Sequence, residues 1–317
     1  MTLKLSNKYI TFLIPFFVGV ITSFSLPPYN YLIINFIAFP FLLFFFLKNY
    51  KKSKWISFKI GWIFGFGYFI SNLYWITNSL KFDETFAPLI PIALITVPLF
   101  LGIFYGITTL IISFFKLEKN FSTIIIFSVV FSIIEYVRSF IIGGFPWNII
   151  AYSWTNYLNS LQIISLIGTY SFNLLCVTIF LLPIVIFYKK SFKTKFFTIL
   201  VLLISLLTNH LFGTLKLKEE NIKVKNLDFK IKIISPKIDI SRFLKYENPE
   251  KSIKELINFS NPESSKKTIF IFPEVVLTNL YFEDLKNYKK LFSENYSNNH
   301  IIVMGMRSNK ITNGKSI

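Results

Sequence analysis

Residues 161–212 read LQIISLIGTYSFNLLCVTIFLLPIVIFYKKSFKTKFFTILVLLISLLTNHLF. Two apolar runs, 161–188 and 196–212, flank a short segment that carries Lys189, Lys190, Lys193 and Lys195. A helix needs about 20 mostly apolar residues to cross a hydrocarbon core. Lysines gathered between two such runs mark a loop held at a membrane surface. The same alternation extends back to the amino terminus, with further apolar runs at 10–26, 29–47, 56–80, 88–115 and 121–137. Together they predict seven transmembrane helices. Pro27-Pro28 separates the first two runs as a turn, because proline cannot continue a helix. The first run lacks a small-residue cleavage site and more spans follow, so it reads as a retained span.

Composition points the same way. The chain is 53% hydrophobic and 19% aromatic, only 16% charged, with a mean hydropathy of +0.55. Soluble domains average about 45–50% apolar and about 25% charged residues. A wholly soluble enzyme is excluded, and so is a disordered chain. The net charge of +18 is clustered. Residues 1–212 hold 15 Lys/Arg against 4 Asp/Glu, most of them in short loops. That pattern is a topology signal and argues against a nucleic-acid partner.

Thirteen lysines fall in loops on one side: Lys4, Lys8, Lys48, Lys51, Lys52, Lys54, Lys59, Lys116, Lys119, Lys189, Lys190, Lys193 and Lys195. The opposite loops hold Lys81 and Arg138. Positive loops stay inside, so the amino terminus is expected in the cytoplasm. After seven crossings, residue 213 onward is expected outside. This divides the chain into a membrane domain, 1–212, and an extracytoplasmic segment, 213–317. The single cysteine, Cys176, permits no disulfide within one chain and no Cys-based metal site. His210 and His300 are too few for a His-rich site. No metal or cofactor is expected.

From 213 the pattern changes to alternating strand and helix. FKIKIIS (229–235) alternates with period two, TIFIF (268–272) is a short buried-strand run, and HIIVMGM (300–306) is a third strand. Helices are expected at 249–259 and at 283–296, the second with acidic residues in its first turn. The order β-α-β-α-β predicts an α/β layer with parallel strands.

Two places could carry chemistry. Phe272-Pro273-Glu274 follows the second strand, and open parallel sheets place their sites at strand ends. A carboxylate there, after a stiffening proline, is a candidate general base. A helix-start acid or a solvated surface carboxylate is the alternative reading of Glu274. The second place begins at Glu135 and Arg138, three residues apart on a helix and so able to pair. Gly143, Gly144, Phe145, Pro146, Trp147 and Asn148 follow, then Tyr152, Ser153 and Trp154. Charge in or near a span is expensive and is usually paired or functional. The glycines, proline and tryptophans predict an irregular segment at the membrane interface. A purely structural aromatic belt competes with a lipid-binding role for Arg138, Phe145, Trp147 and Trp154.

IEYVRSFIIGGFPWNIIAYSW (134–154), the seven spans and the FPE after a strand together resemble bacterial apolipoprotein N-acyltransferases. Residues 167–173 (IGTYSFN) are similar to that family's Gly-x-x-Gly/Ser-Phe stretch. Residues 231–238 resemble its segment V-Q-P/G-N-I, with Ser235 where glutamine is usual. Residues 242–246 resemble its downstream Lys-Trp, with Tyr246 in place of tryptophan. The resemblance runs from the turn at residue 25 to the last strand.

It implies a multi-pass α-helical membrane domain followed by a partial α/β nitrilase-like domain, an α-β-β-α sandwich. It implies a place in the bacterial cytoplasmic (inner) membrane, with the nitrilase-like domain on the periplasmic side. The implied reaction moves an acyl chain from a phospholipid donor to the α-amino group of a diacylglyceryl-modified apolipoprotein cysteine. A thioester intermediate splits that transfer into two steps. Glu274 is then the catalytic base. The family's Lys and Cys partners fall beyond residue 317, so the chain reads as a truncated fragment, inactive by itself. Cys176 lies inside a span, where an apolar setting makes a thiol an inert packing residue. Lys286 and Lys289 read as solvated residues on a helix face. Three other readings stay open: a catalytically dead lipid- or lipoprotein-binding membrane protein, a membrane-tethered carbon–nitrogen hydrolase, and a transporter. The last is disfavoured by the scarcity of charge in the spans and the lack of an inverted repeat.

Overall fold

A computed structural model of the chain describes residues 10–81, 83–141, 144–188, 190–221, 228–237, 248–274, 276–309, 311–312 and 315–316. Lys4, Lys8, Gly143, Lys189, Ile238 and the 242–246 segment lie outside the described residues. The chain divides into two compact units, Met1–Lys223 and Val224–Ile317.

The first unit is helical. Its helices are α1 (Ile10–Ser23), α2 (Asn35–Asn49), α3 (Lys54–Asn72), α4 (Ile90–Ile112), α5 (Phe121–Arg138), α6 (Leu158–Leu161), α7 (Ile164–Ile167), α8 (Thr169–Leu181) and α9 (Phe192–Asn221). Five helical stretches among the described residues are long and apolar enough to cross a membrane: Leu32–Asn49, Glu84–Ile112, Phe121–Arg138, Thr169–Phe187 and Phe192–Lys218. The other two expected spans are also helical but miss that standard. The described part of α1 has 14 residues. Helix α3 has 19, diluted by Lys54, Lys59 and three glycines.

The expected span 161–188 needs correction. Gly168, at φ +77°, ends α7 and starts α8. Only a glycine adopts that backbone without strain. The crossing therefore begins at Thr169, and α6 and α7 are short pieces before it. Helix α9 runs nine residues past the expected end at 212.

Aromatic rings hold the bundle together. Phe39 of α2 lies 5.7 Å from Phe131 of α5 and 6.0 Å from Phe180 of α8. Tyr105 of α4 stacks on Phe131 at 4.8 Å. Such pairs add about 0.5–1.5 kcal/mol each beyond burial. Helices α3 and α4 approach most closely through small residues, as membrane helices do when lipid supplies no hydrophobic drive. A Cβ at Gly61 would strike the Tyr105 carbonyl oxygen and the Thr109 hydroxyl. That hydroxyl donates to Ser57 O at 2.7 Å across the same interface. Gly61→Leu is therefore expected to separate α3 from α4. The check is size-exclusion chromatography in detergent, where the variant should lose its folded monodisperse peak.

The second unit contains β1 (Lys230–Ile233), α10 (Pro249–Ser260), β2 (Thr268–Glu274), α11 (Lys289–Asn295) and β3 (His300–Gly305). These three strands form one parallel sheet in the order β1-β2-β3, as the β-α-β-α-β pattern predicts, and Ile311–Thr312 pairs separately, antiparallel, with Lys315–Ser316. Ile253, Leu256 and Ile257 of α10 join Phe270 and Phe272 of β2 in the core. Asn248 caps α10 by accepting the Glu250 N–H at 2.9 Å, with Pro249 at the first helical position. The helix expected at 283–296 is two pieces: a 3-10 helix, Phe282–Tyr288, then α11. The first piece is pinned to the chain after β3, where the Phe282 N–H donates to Arg307 O at 2.8 Å.

Candidate functional site

In the second unit, the three strands end side by side, and open parallel sheets build their sites at such ends. The chain leaves β1 through Ile234 and Ser235, and the Ile234 N–H still donates to Ile271 O at 2.9 Å. Strand β2 ends at Glu274, which pairs with Gly305 at the end of β3 after a register shift beyond Ile271. Pro273 offers no N–H to a ladder, so the strand bulges there. The bulge brings the Glu274 side chain out, exposed, beside Gly305.

Sequence reasoning missed a second carboxylate at the same strand ends. Glu283 accepts the Ser308 hydroxyl at 2.6 Å and the Asn309 N–H at 3.0 Å. It ties the turn before α11 to the chain leaving β3. Its acidic position had been legible only as a helix-start preference. Lys286 and Lys289 are exposed, and Cys176 is buried in α8 at 1% exposure.

In the helical unit, Glu135 and Arg138 are each 1% exposed. Their closest approach is 3.7 Å, Nη2 to Oε1. Two charges taken out of water are expensive unless further hydrogen bonds hold them. Glu135 has these from two other helices. Tyr105 of α4 donates to Oε1 at 2.8 Å, and Asn173 of α8 donates to Oε2 at 2.5 Å. The Asn173 oxygen in turn accepts the Ala151 N–H at 2.9 Å. Arg138 Nη1 donates to Phe145 O at 2.8 Å and to Trp147 O at 3.1 Å. Tyr68 of α3 donates to Asn148 O at 3.0 Å. The segment from Phe145 to Ala151 is thus held by side chains from three helices. Tyr68 and Tyr105 are further residues that sequence reasoning passed over, and Asn173 entered it only as the last residue of the 167–173 stretch, without a role. Single polar atoms inside apolar helices leave no periodic mark.

The aromatic residues divide. Trp147 is 48% exposed, 5.3 Å from the Phe145 ring and 5.0 Å from Trp75. Trp154 does not join them. It is 6% exposed and stacks on Phe180 at 6.1 Å, a packing position inside the bundle. Arg138 and Phe145 also line a cleft of about 350 Å³ with residues of α4. Among the described residues, no three His, Cys, Asp or Glu side chains gather as a metal site.

A family model described as the apolipoprotein N-acyltransferase N-terminal domain matches residues 18–182. Similar curated proteins carry the name apolipoprotein N-acyltransferase. One from Brucella melitensis is 30% identical over 56% of this chain and 35% of its own length. One from Sinorhizobium medicae is 28% identical over 72% and 44%. One from Rhizobium rhizogenes is 31% identical over 52% and 32%. The aligned chain therefore spans less than half the length of these relatives.

Proposed function

Because the chain belongs to the apolipoprotein N-acyltransferase family, we propose that it serves the N-acylation of diacylglyceryl-cysteine on apolipoproteins, with a phospholipid as acyl donor. The family is one of acyltransferases, and five apolar helices suit an inner-membrane protein. The match over residues 18–182 is the observation that carries the reading. It places Glu135, Arg138 and the aromatic segment 144–154 within the matched region.

In this reading the amino terminus is cytoplasmic, and the parallel-sheet unit is part of a nitrilase-like domain on the outer side. The lysine bias of the loops supports that orientation. Glu274 is the general base, supported by its exposed position at the end of a central parallel strand. Arg138, Phe145 and Trp147 contact lipid substrate, supported by their clustering at the end of α5. Acyl transfer through a thioester needs a thiolate nucleophile. Within these 317 residues the only thiol is Cys176, buried in α8. The 317-residue chain is therefore inactive by itself.

The test incubates the purified chain with phosphatidylethanolamine and a diacylglyceryl-cysteine peptide and follows N-acylated peptide by mass spectrometry. No product is expected. Joining the carboxy-terminal remainder of the Brucella melitensis relative to Ile317 is expected to yield product. Product from the unextended chain would overturn the reading that these 317 residues lack the nucleophile, and amide hydrolysis without acyl transfer by the fusion would favour a carbon–nitrogen hydrolase.

A further inference from the structure

The turn between α2 and α3 and the loop between α4 and α5 are far apart in sequence and meet at one end of the helical bundle. The Tyr50 hydroxyl donates to Leu117 O at 3.3 Å. The Lys54 ammonium donates to Ser113 O and lies 4.2 Å from the centre of the Phe114 ring. This meeting brings Lys48, Lys51, Lys52, Lys54, Lys116 and Lys119 onto one surface, all of them exposed. Residues 48–59 hold no Asp or Glu, and residues 113–121 hold only Glu118. Glu118 stands 3.9 Å from Lys116 with both side chains exposed, a bridge worth little in water. One carboxylate against six ammonium groups leaves the surface strongly positive.

Apolar rings border the same surface. Trp55, Phe114, Phe115 and Phe121 are 46–69% exposed. Trp55 stacks on Phe58 with ring centres 5.2 Å apart. The Lys59 ammonium lies 5.2 Å from the Trp55 ring, and that of Lys48 lies 4.4 Å from Phe44. Ammonium groups and rings thus share one boundary, as amphipathic side chains do at headgroup depth. Helices α2, α4 and α5 belong to stretches long and apolar enough to cross a membrane, and each has one end here. The surface therefore sits where headgroups begin. A water-soluble polyanion would find the rings already taken up by lipid. A phospholipid with a net negative head suits both halves: its phosphate meets ammonium groups while its glycerol and upper chains meet rings. A zwitterionic head offers the same phosphate with its own cation beside it.

We propose that this lysine surface binds the headgroups of anionic phospholipids, of the phosphatidylglycerol class, at the face of the bilayer. The lipid is held at the end of the bundle, outside it, and takes no part in acyl transfer. Each basic residue near an anionic bilayer is worth about a factor of five in binding. That effect fades within a Debye length, about 8 Å in physiological salt. Lysines gathered from two loops act together on one headgroup where a lone lysine cannot.

The test places the full chain in nanodiscs of phosphatidylcholine, with and without phosphatidylglycerol, and follows acetylation of single lysines by acetic anhydride with mass spectrometry. Lys81, exposed in the 3-10 helix Tyr74–Lys81, reports the general effect of a negative bilayer on one lysine. Phosphatidylglycerol is expected to slow Lys51, Lys52, Lys116 and Lys119 at least about fivefold more than Lys81. Native mass spectrometry from detergent then compares retained lipid. The chain should prefer phosphatidylglycerol over phosphatidylcholine at least about tenfold. Lys51→Gln/Lys52→Gln/Lys116→Gln/Lys119→Gln should reduce that preference below about twofold. Lys251→Gln/Lys267→Gln/Lys286→Gln/Lys289→Gln removes the same charge from the second unit and should keep it. If the first variant does not fold, the footprint of the unaltered chain decides alone. Equal slowing of Lys81 and the four lysines overturns the proposal, as does a preference that survives the first variant. Protection of the four lysines by inorganic phosphate in phosphatidylcholine nanodiscs, as strong as that by phosphatidylglycerol, also overturns it, since the surface is then a site for free anions. A fusion that acylates peptide while all five lysines slow alike loses this surface and keeps the family reading.

Discussion

Glu274→Gln is expected to lower N-acylation by about 10²–10⁴-fold in the fusion that carries the carboxy-terminal remainder of the relative, the usual worth of a general base. Glutamine keeps the size of the side chain and cannot take a proton. The position makes the substitution structurally mild, because Glu274 is exposed at the end of β2 while Phe272 two residues earlier sits in the core. The loss should fall on turnover with little change in the concentration of peptide needed for half-maximal rate. Glu283→Gln is the companion variant. Its oxygens hold Ser308 and Asn309, so it acts by position, and a smaller loss is expected. Retention of more than a tenth of the rate by Glu274→Gln would remove it from the role of base.

Arg138→Met is expected to destabilise the helical unit by about 3–5 kcal/mol, the cost of leaving one member of a buried ion pair unpaired. Glu135 would keep its hydrogen bonds from Tyr105 and Asn173 but lose the nearest positive charge. The carbonyls of Phe145 and Trp147 would lose their shared donor as well. The double variant Glu135→Gln/Arg138→Met should recover much of the loss, since it removes both charges together. Denaturant unfolding in detergent micelles measures the two single variants and the double. If the single variants each lose less than about 1 kcal/mol, the pair behaves as a solvated surface bridge, and the buried network does not hold the segment from Phe145 to Ala151.

Much of the architecture is legible along the chain, because hydropathy and periodicity are local quantities. Apolar runs mark the helices of the first unit, and three short runs, the first of them with period two, mark β1, β2 and β3 within a residue or two of their ends. The parallel order follows from alternation of strand and helix. The misses share a cause. Hydropathy sees Leu161 through Tyr188 as one run, while the backbone at Gly168 turns to a positive φ. It also gives no sign that Gly61 and Gly65 of α3 are the places where α4 comes close.

The site divides along the same line. The identity of the charged pair on α5, the aromatic segment after it and the carboxylate after β2 were set by the sequence itself, since residue type and spacing state them. What Arg138 reaches was decided by tertiary structure alone. Tyr105 and Asn173 come from helices 30 and 38 residues away from Glu135, and the cleft exists because α4 packs beside the end of α5. Trp147 and Trp154, alike in sequence, part company for the same reason: one ring faces outward and the other stacks on Phe180. A chain carries its chemical groups in order, but hydrogen-bond partners, burial and empty space are properties of packed neighbours, and those are chosen only when the helices meet.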